Sequence, residues 1–324
     1  MFRGWMQGFT ILMHNMIKGT YIFYEDGKEI YRSPNLITKF GKRFLTNFIA
    51  GGIEDASKDM AFGVDSTTAT VNDTRLGFEF YRVPVLLTST DIQTSGSTTT
   101  YSVVYKTTIP QEISGVISEV GLYPSTRKSI NNFDSKFITD FSNPLDWTDN
   151  SDLNPESETT GARIGDTVLL MSSNSTSANE YTANISLDIS GYSNADSIRL
   201  AYFKNEADLQ SITLKMYSSD TDYYSTVITP TSGTGYRITD DILLSTFFSG
   251  PTGSPDKSQI NKIGVVVTPT SGNATSVRLD SLRINDEDTF DPTFGLISRS
   301  VLGTALTKLN GRQVDVEYKL DLSF

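Results

Sequence analysis

The sequence predicts a mainly β protein, an antiparallel β-sheet module with one N-terminal helix, interrupted by an inserted β-sandwich of the jelly-roll type. Three observations predict it. Near the C-terminus Val314, Val316, Tyr318, Leu320 and Leu322 alternate with Asp315, Glu317, Lys319, Asp321 and Ser323, the period of a strand with one wet face. A single segment, from Pro34-Asn35 to Gly51-Gly52, carries apolar residues at helical spacing. Between about residues 128 and 293 the chain is rich in Ser, Thr, Asn and Asp and holds at least seven short β-prone runs separated by turn clusters such as TSGTG and SGPTGSP, the pattern of a sandwich.

Taken in order, residues 1–19 read as a short N-terminal tail. Residues 20–32 (TYIFYEDGKEIYR) read as a hairpin, with Asp26-Gly27 supplying the positive-φ turn between two β-prone runs. The helix is placed at 35–50, with Leu36, Ile37, Phe40, Phe44, Leu45, Phe48 and Ile49 as its apolar positions. Phe40, Phe44 and Phe48 are candidates for a subunit interface. Strands follow at 60–64, 82–88, 100–109 and 115–123, where Tyr101, Val103, Tyr105, Thr107 and Ile109 share one face. The insert offers strands at 167–171, 181–189, 197–203, 211–217, 223–228, 262–268 and 276–284, with DDILLSTFF (240–248) as a helical passage. The strand GLISRSVL then leads to the terminal alternating strand.

Composition bounds the function. A chain of 324 residues is long enough for two domains. Its net charge of −11 comes with no Lys/Arg run longer than Lys42-Arg43, which argues against a nucleic-acid partner. There is no cysteine, and the single histidine is His14, so thiolate chemistry and histidine-dependent triads are excluded. No stretch approaches the roughly 20 apolar residues of a membrane span, and no phosphate loop, nucleophile elbow or zinc signature is present. The expected protein is not an enzyme. The acidic pairs Asp220/Asp222 and Asp240/Asp241, and the run Asp286-Glu287-Asp288 near Asp291, read first as solvated turns, with Ca²⁺ coordination and a carboxylate pair for glycoside hydrolysis as alternatives.

Two resemblances add to this. The segment DMAFGVDSTTATVNDTRLGFEFYRVPV (59–85) carries Asp73-Thr74-x-Leu76-x-x-Glu79 and then Arg82-x-x-Val85. With SEVGLY (118–123), LISRSVL (296–302) and the alternating strand 314–322, it resembles the N-terminal modules of bacteriophage tail fibres and related tail proteins. That family sets the second strand close behind the first, whereas about 170 residues intervene here. The resemblance implies a discontinuous virion-attachment module, 20–127 plus 294–324, interrupted by an inserted domain at 128–293, so that Gly121-Leu122-Tyr123 and Gly295-Leu296-Ile297 are expected side by side. It also implies a virion protein, a tail fibre, tail-fibre adaptor or baseplate component assembled in the host cytoplasm as a trimer or hexamer with other virion proteins. Capsid or neck decoration, or a carbohydrate-binding protein acting in host recognition, stand as alternatives.

The insert opens with NNFDSKFITDFSNPLDW (131–147) and closes with VRLDSLRIND (277–286), and resembles galactose-binding-like jelly rolls and carbohydrate-binding modules. The resemblance implies contact with host surface glycan. It also implies a structural Ca²⁺ held by an early acidic residue and the aspartate of the closing strand, for which Asp134 and Asp280 are the matching positions. Sugar rings stack on exposed aromatic faces. Trp147, Tyr181, Tyr202, Tyr217, Tyr223, Tyr224 and Tyr236 are available in the insert; Tyr181 and Tyr202 fall in phase with apolar neighbours. Tyr223 and Tyr224, after the polar SSDTD turn, are the leading candidates, with Trp147 and Tyr236 beside them.

Overall fold

Alternation fixes which side of each strand is dry, and the dry sides assemble two separate cores. The structure, a computed structural model, describes residues 17–49, 58–124, 135–150, 153–174, 177–285 and 295–323. The chain divides into two compact units, one formed by residues 1–129 together with 291–324 and the other by residues 130–290. Both are built from antiparallel strands.

In chain order the first unit holds β1 (Ile17–Glu25), β2 (Lys28–Pro34), β3 (Leu36–Ile37), helix α1 (Lys39–Ile49), β4 (Lys58–Gly63), β5 (Glu79–Ser95), β6 (Thr98–Ile109) and β7 (Gly115–Pro124). After the second unit come β20 (Ser298–Lys308) and β21 (Val314–Ser323). The strand order is β2-β1-β21-β6-β5-β4-β7-β20-β3. Strand β5 belongs to both halves: residues 79–85 pair with β4, and the chain from Leu86 onward pairs with β6. The sheet therefore folds over on itself, and Tyr21, Phe23, Val316 and Tyr318 from one half share a core with Met60, Phe62, Val120 and Leu122 from the other. The terminal alternation becomes β21, centred between β1 and β6 with Val314, Val316 and Tyr318 inward. Asp26 and Gly27 take φ of 51° and 74° in the β1–β2 turn, as the Asp-Gly signal demands.

The helix starts four residues later than its apolar spacing predicts. Leu36 and Ile37 are taken by β20, pairing with Arg299 and Ser298. Thr38 then caps the helix, its hydroxyl accepting from Gly41 N at 3.0 Å, while its own N–H donates to Ile297 O at 3.1 Å. Phe44 is buried in this unit's core and Phe40 packs half-buried against it, the two rings 6.2 Å apart. Both put their rings into the unit's own core, and the Phe48 side chain lies outside the described residues.

Strands β7 and β20 are the last before the second unit and the first after it, and they are antiparallel neighbours. Ile297 N donates to Leu122 O at 2.7 Å, and Arg299 faces Gly121. Across this pair lies a buried polar network. Glu119 is fully buried and accepts from Phe78 N (2.8 Å), Gly77 N (3.0 Å) and Arg299 Nε (2.9 Å). Arg299 also donates to Asp73 at 2.8 Å and to Thr67 O at 3.2 Å. Beside it, Arg82 pairs with Glu79 at 2.6 Å and lies 3.9 Å above the Tyr123 ring, and the Tyr123 hydroxyl accepts from Leu76 N.

The second unit holds β8 (Ser135–Thr139), a 3-10 turn (Pro144–Asp146), β9 (Trp147–Asp149), β10 (Glu156–Glu158), β11 (Val168–Ser173), β12 (Asn179–Leu187) and β13 (Ser197–Lys204). It continues with β14 (Leu209–Tyr217), β15 (Tyr223–Ile228), β16 (Gly235–Ile238), β17 (Ile242–Leu243), α2 (Leu244–Phe247), β18 (Ile260–Pro269) and β19 (Thr275–Asn285). One sheet runs β10-β11-β19-β13-β16, with β8 added on β19 and β17 on β13; the other runs β15-β14-β18-β12-β9. Leu169, Met171, Leu200, Tyr202, Val277 and Leu279 of the first sheet meet Tyr181, Ile212, Leu214, Met216, Ile263 and Val265 of the second in one core, which makes the unit a β-sandwich. The helical passage expected at 240–248 is reduced to the single turn α2, because Ile242 and Leu243 pair with β13.

Since Leu122 and Ser298 are paired, the two parts of the first unit need only a short connection to stay in register. Replacing residues 126–293 by a short Gly/Ser linker is predicted to leave a β-rich domain that melts in one cooperative transition by circular dichroism. A chain that melts without cooperativity would show that the first unit depends on the second.

Candidate functional site

In the five-stranded sheet of the second unit the period-2 rule separates the two faces. On β14, Ile212, Leu214 and Met216 are buried inward, leaving Thr213, Lys215 and Tyr217 on the other face. On β18, Ile263, Val265 and Val267 point in and Lys262, Gly264 and Val266 point out; on β12, Tyr181 and Ala183 point in and Glu180 and Thr182 point out. Register brings the outward positions together. Lys215 faces Gly264, which faces Thr182, and Tyr217 lies between Lys262 and Tyr223.

Gly264 is the floor of this cluster. A Cβ there would stand 2.9 Å from both Glu180 Oε1 and Tyr217 Cε2, closer than real Cβ contacts allow, so only glycine lets this ring and carboxylate lie flat on the sheet. The Tyr217 hydroxyl donates to Glu180. Burial first, and then that hydrogen bond, push the phenol well above its ordinary value. Lys215 pairs with Glu180 at 3.1 Å and Lys262 with Asp220 at 2.5 Å. Lys262 Nζ sits 4.6 Å over the Tyr217 ring and Lys215 Nζ 5.0 Å over the Tyr223 ring.

Tyr223 differs from its neighbours. Its ring is half-exposed, 4.9 Å from that of Tyr217 and tilted by 50°. Its backbone is pinned in both directions to Thr252, with Tyr223 N donating at 3.0 Å and Thr252 N donating back at 2.9 Å. The adjoining turn is held by Asp222, which accepts from Ser254 N at 2.8 Å and from the Ser219 hydroxyl at 2.5 Å. The arrangement is a rigid aromatic ring beside hydroxyl, ammonium and carboxylate groups. It offers a stacking surface and hydrogen-bonding groups of both polarities, and it assembles no nucleophile with a base.

The other aromatic candidates lie elsewhere. Trp147 is 6% exposed, its ring stacked 5.2 Å from Phe141 within the core. Tyr224 is 7% exposed and its hydroxyl donates to Pro255 O at 2.9 Å. Neither presents a ring face to solvent, since alternation along β9 and β15 turns both inward. Tyr236 belongs to the opposite sheet, where its hydroxyl donates to Asp280 at 2.6 Å and Arg163 lies 4.4 Å from its ring. Tyr223 therefore sits on the outward cluster apart from the other three, and Tyr217, Lys215, Glu180, Lys262 and Gly264 join it there. The signal for them was the strict alternation of β14, which continued through Lys215 puts Tyr217 outward.

Asp280 is the unpaired residue of a β-bulge, between Leu279 facing Tyr202 and Ser281 facing Ala201. It is fully buried, and besides Tyr236 its carboxylate accepts from Arg163 N (3.2 Å) and Ile164 N (3.3 Å). A calcium ion requires several oxygen ligands; here every partner is a hydrogen-bond donor, so Asp280 fits a tie for the 163–164 loop and does not fit a Ca²⁺ ligand. Among the described residues no group of three or more acidic or histidine side chains could hold a metal ion, and Asp134 lies outside them. Burial raises the Asp280 carboxyl to about 7, opposed by the bonds from Tyr236, Ile164 and Arg163.

A carboxyl raised in the folded state binds a proton there that the unfolded chain has already lost. The stability of the second unit should therefore fall between about pH 4 and pH 7, by as much as ~1.4 kcal/mol per pH unit from this group, and level off above. Urea unfolding across that range should show the slope, and Asp280→Asn should flatten it. An unchanged slope in the variant would mean that Asp280 titrates near its ordinary value.

No protein-family model matches the chain, and no curated protein does. Among solved structures it is similar to a family 11 carbohydrate-binding module from Clostridium thermocellum, in complex with a β-1,3-1,4-mixed-linked tetrasaccharide. That match has 15% identity and a TM-score of 0.34, and covers 47% of this chain and 95% of that one. A family 30 carbohydrate-binding module of a Clostridium thermocellum cellulosomal cellulase matches with 13% identity and a TM-score of 0.37 over 48% of this chain and 99% of that one. An agarase matches with 12% identity and a TM-score of 0.34 over 47% of this chain and 24% of its own. Likeness at these identities and scores says nothing of ligand or activity.

Proposed function

We propose that the second unit is a non-catalytic glycan-binding domain and that the chain is a structural component of a bacteriophage particle, with the first unit in contact with other virion proteins. The observation that carries the glycan reading is the half-exposed ring of Tyr223, fixed on a polar sheet face beside Lys215, Glu180, Tyr217 and Lys262. The apolar face of a pyranose stacks on such a ring while its hydroxyls exchange hydrogen bonds with the surrounding groups. Nearby Thr213, Ser225 and Thr182 are small and half-exposed, and leave the ring accessible along the sheet.

The virion reading rests on the sequence resemblance. What supports it is that Asp73, Leu76, Glu79 and Arg82 of the first motif, Glu119 of the second and Arg299 of the third meet in one part of the first unit. Residues spread over more than 200 positions thus supply one local cluster. A trimeric or hexameric assembly belongs to the same proposal, by analogy with the cyclic symmetry of such appendages.

Tyr223→Ala should weaken binding of whichever polysaccharide the intact protein retains in affinity electrophoresis, by about five- to thirtyfold given roughly 1–2 kcal/mol for a lost stacking platform. Its melting temperature should stay close to the parent's, since the ring is half-exposed. Retention unchanged in the variant would remove this face from consideration. For the virion role, antibody raised against the second unit should decorate intact particles in immunogold electron microscopy. Labelling confined to lysate protein would count against it.

A further inference from the structure

We propose that Glu180 and Asp220 act as specificity determinants, making the outward face around Tyr223 accept uncharged glycans and refuse anionic ones by filling the lysines that an acidic sugar would need. The proposal rests on the glycan reading of that face and concerns which class of glycan it takes.

Lys215 and Lys262 are the cations at the outward positions of β12, β14, β15 and β18, and each is engaged by a carboxylate of the same unit, at 3.1 Å from Glu180 and 2.5 Å from Asp220. Both ammonium groups also lie against tyrosine rings, Lys215 over Tyr223 and Lys262 over Tyr217. A sugar carboxylate reaching either lysine meets a carboxylate already there, and either sits beside it on the remaining ammonium donors, like charge against like, or displaces it. In the first case repulsion offsets the gain, and in the second the gain is only the difference between two similar ion pairs.

The charge of the unit acts in the same direction. Residues 130–290 hold 10 Lys and Arg against 22 Asp and Glu, a net of −12, whereas the rest of the chain holds 17 against 16, a net of +1. The acidity of this protein is thus a property of the second unit, and it opposes the approach of a polyanion. An uncharged sugar meets neither obstacle. Its hydroxyls donate to the remaining lone pairs of the Glu180 and Asp220 oxygens while both ion pairs stay intact, and the Asp220 side chain is 92% exposed for that purpose.

The intact protein and the double variant Glu180→Gln/Asp220→Asn would be run in affinity electrophoresis against dextran, a galactomannan and a β-glucan, and against polygalacturonate and alginate, at about 20 and 300 mM NaCl, either side of the ionic strength that screens surface charges. The unsubstituted protein should be retarded by at least one uncharged polymer, with an affinity that changes less than about twofold between the two salts, and by neither polyanion. The double variant frees both lysines and should gain polyanion binding of about tenfold or more at low salt, lost again at high salt. Retardation of the unsubstituted protein by polygalacturonate or alginate would overturn the selectivity, as would a double variant that gains nothing while keeping its melting temperature. Binding of no polymer by the unsubstituted protein would instead overturn the glycan reading beneath it.

Discussion

The ion pair between Glu119 and Arg299 is the constraint on which the first unit depends. The two residues are 180 positions apart and both are buried, Glu119 completely. Removing two charges from water costs several kcal/mol per ion and is offset only where geometry is good and the remaining hydrogen-bonding capacity is filled. Here it is filled: Arg299 reaches Glu119, Asp73 and Thr67 O, and Glu119 takes the backbone N–H groups of Phe78 and Gly77 as well. Losing one partner of such a pair costs about 3–5 kcal/mol, because the other is left charged and dry. The network therefore fixes three things together: the pairing of β7 with β20, the course of the loop between β4 and β5, and the closeness of the two points where the second unit leaves and rejoins.

Two glycines make that network possible. A Cβ on Gly63 would fall 2.3 Å from Glu119 Oε1, and one on Gly77 would fall 1.9 Å from Asp65 Oδ2. Asp65 in turn accepts from the Thr67 N–H and hydroxyl, which shapes the loop whose Thr67 carbonyl meets Arg299. The short motifs that hold Asp73, Glu119 and Arg299 lie far apart in sequence and meet here. Each supplies one member of a polar cluster that is costly if any member is missing.

Sequence patterning was most informative where a strand has one wet face and least where a partner far along the chain decides. The alternation of residues 314–323 is β21, and Asp26-Gly27 forms the β1–β2 turn. The helix starts later than its apolar spacing predicts because Leu36 and Ile37 satisfy helical spacing equally well. Only Ser298 and Arg299, some 260 residues later, claim the segment for a strand and leave Thr38 to cap. Trp147 and Tyr224 could be read as exposed because their phase on short strands β9 and β15 has few flanking residues to define it. Tyr217 was legible in the alternation of Ile212, Leu214 and Met216 against Thr213 and Lys215, but Gly264, which makes room for its ring, sits in an apolar run whose pattern hides a glycine's purpose.

The two sheets of the second unit treat their outer faces differently, and this bears on where a ligand can lie. On the seven-stranded sheet Asp280 points away from the core, as alternation predicts for a charged residue, yet it is buried because the loop carrying Arg163 and Ile164 is tied down on it. Gly161 at φ of 91° lets that loop pass over Phe203, whose atoms would stand 3.1 Å from any Cβ there, and Arg278 reaches across to Glu158 and Asn205. That surface is used by the protein's own chain. On the five-stranded sheet the central outward position is Gly264, its neighbours are Thr182 and Lys215, and the side chains lie along the sheet. Adding a side chain at Gly264 would lift Tyr217 and Glu180 off the sheet and fill the same space from within, so the openness of this face is set by one residue with no side chain of its own.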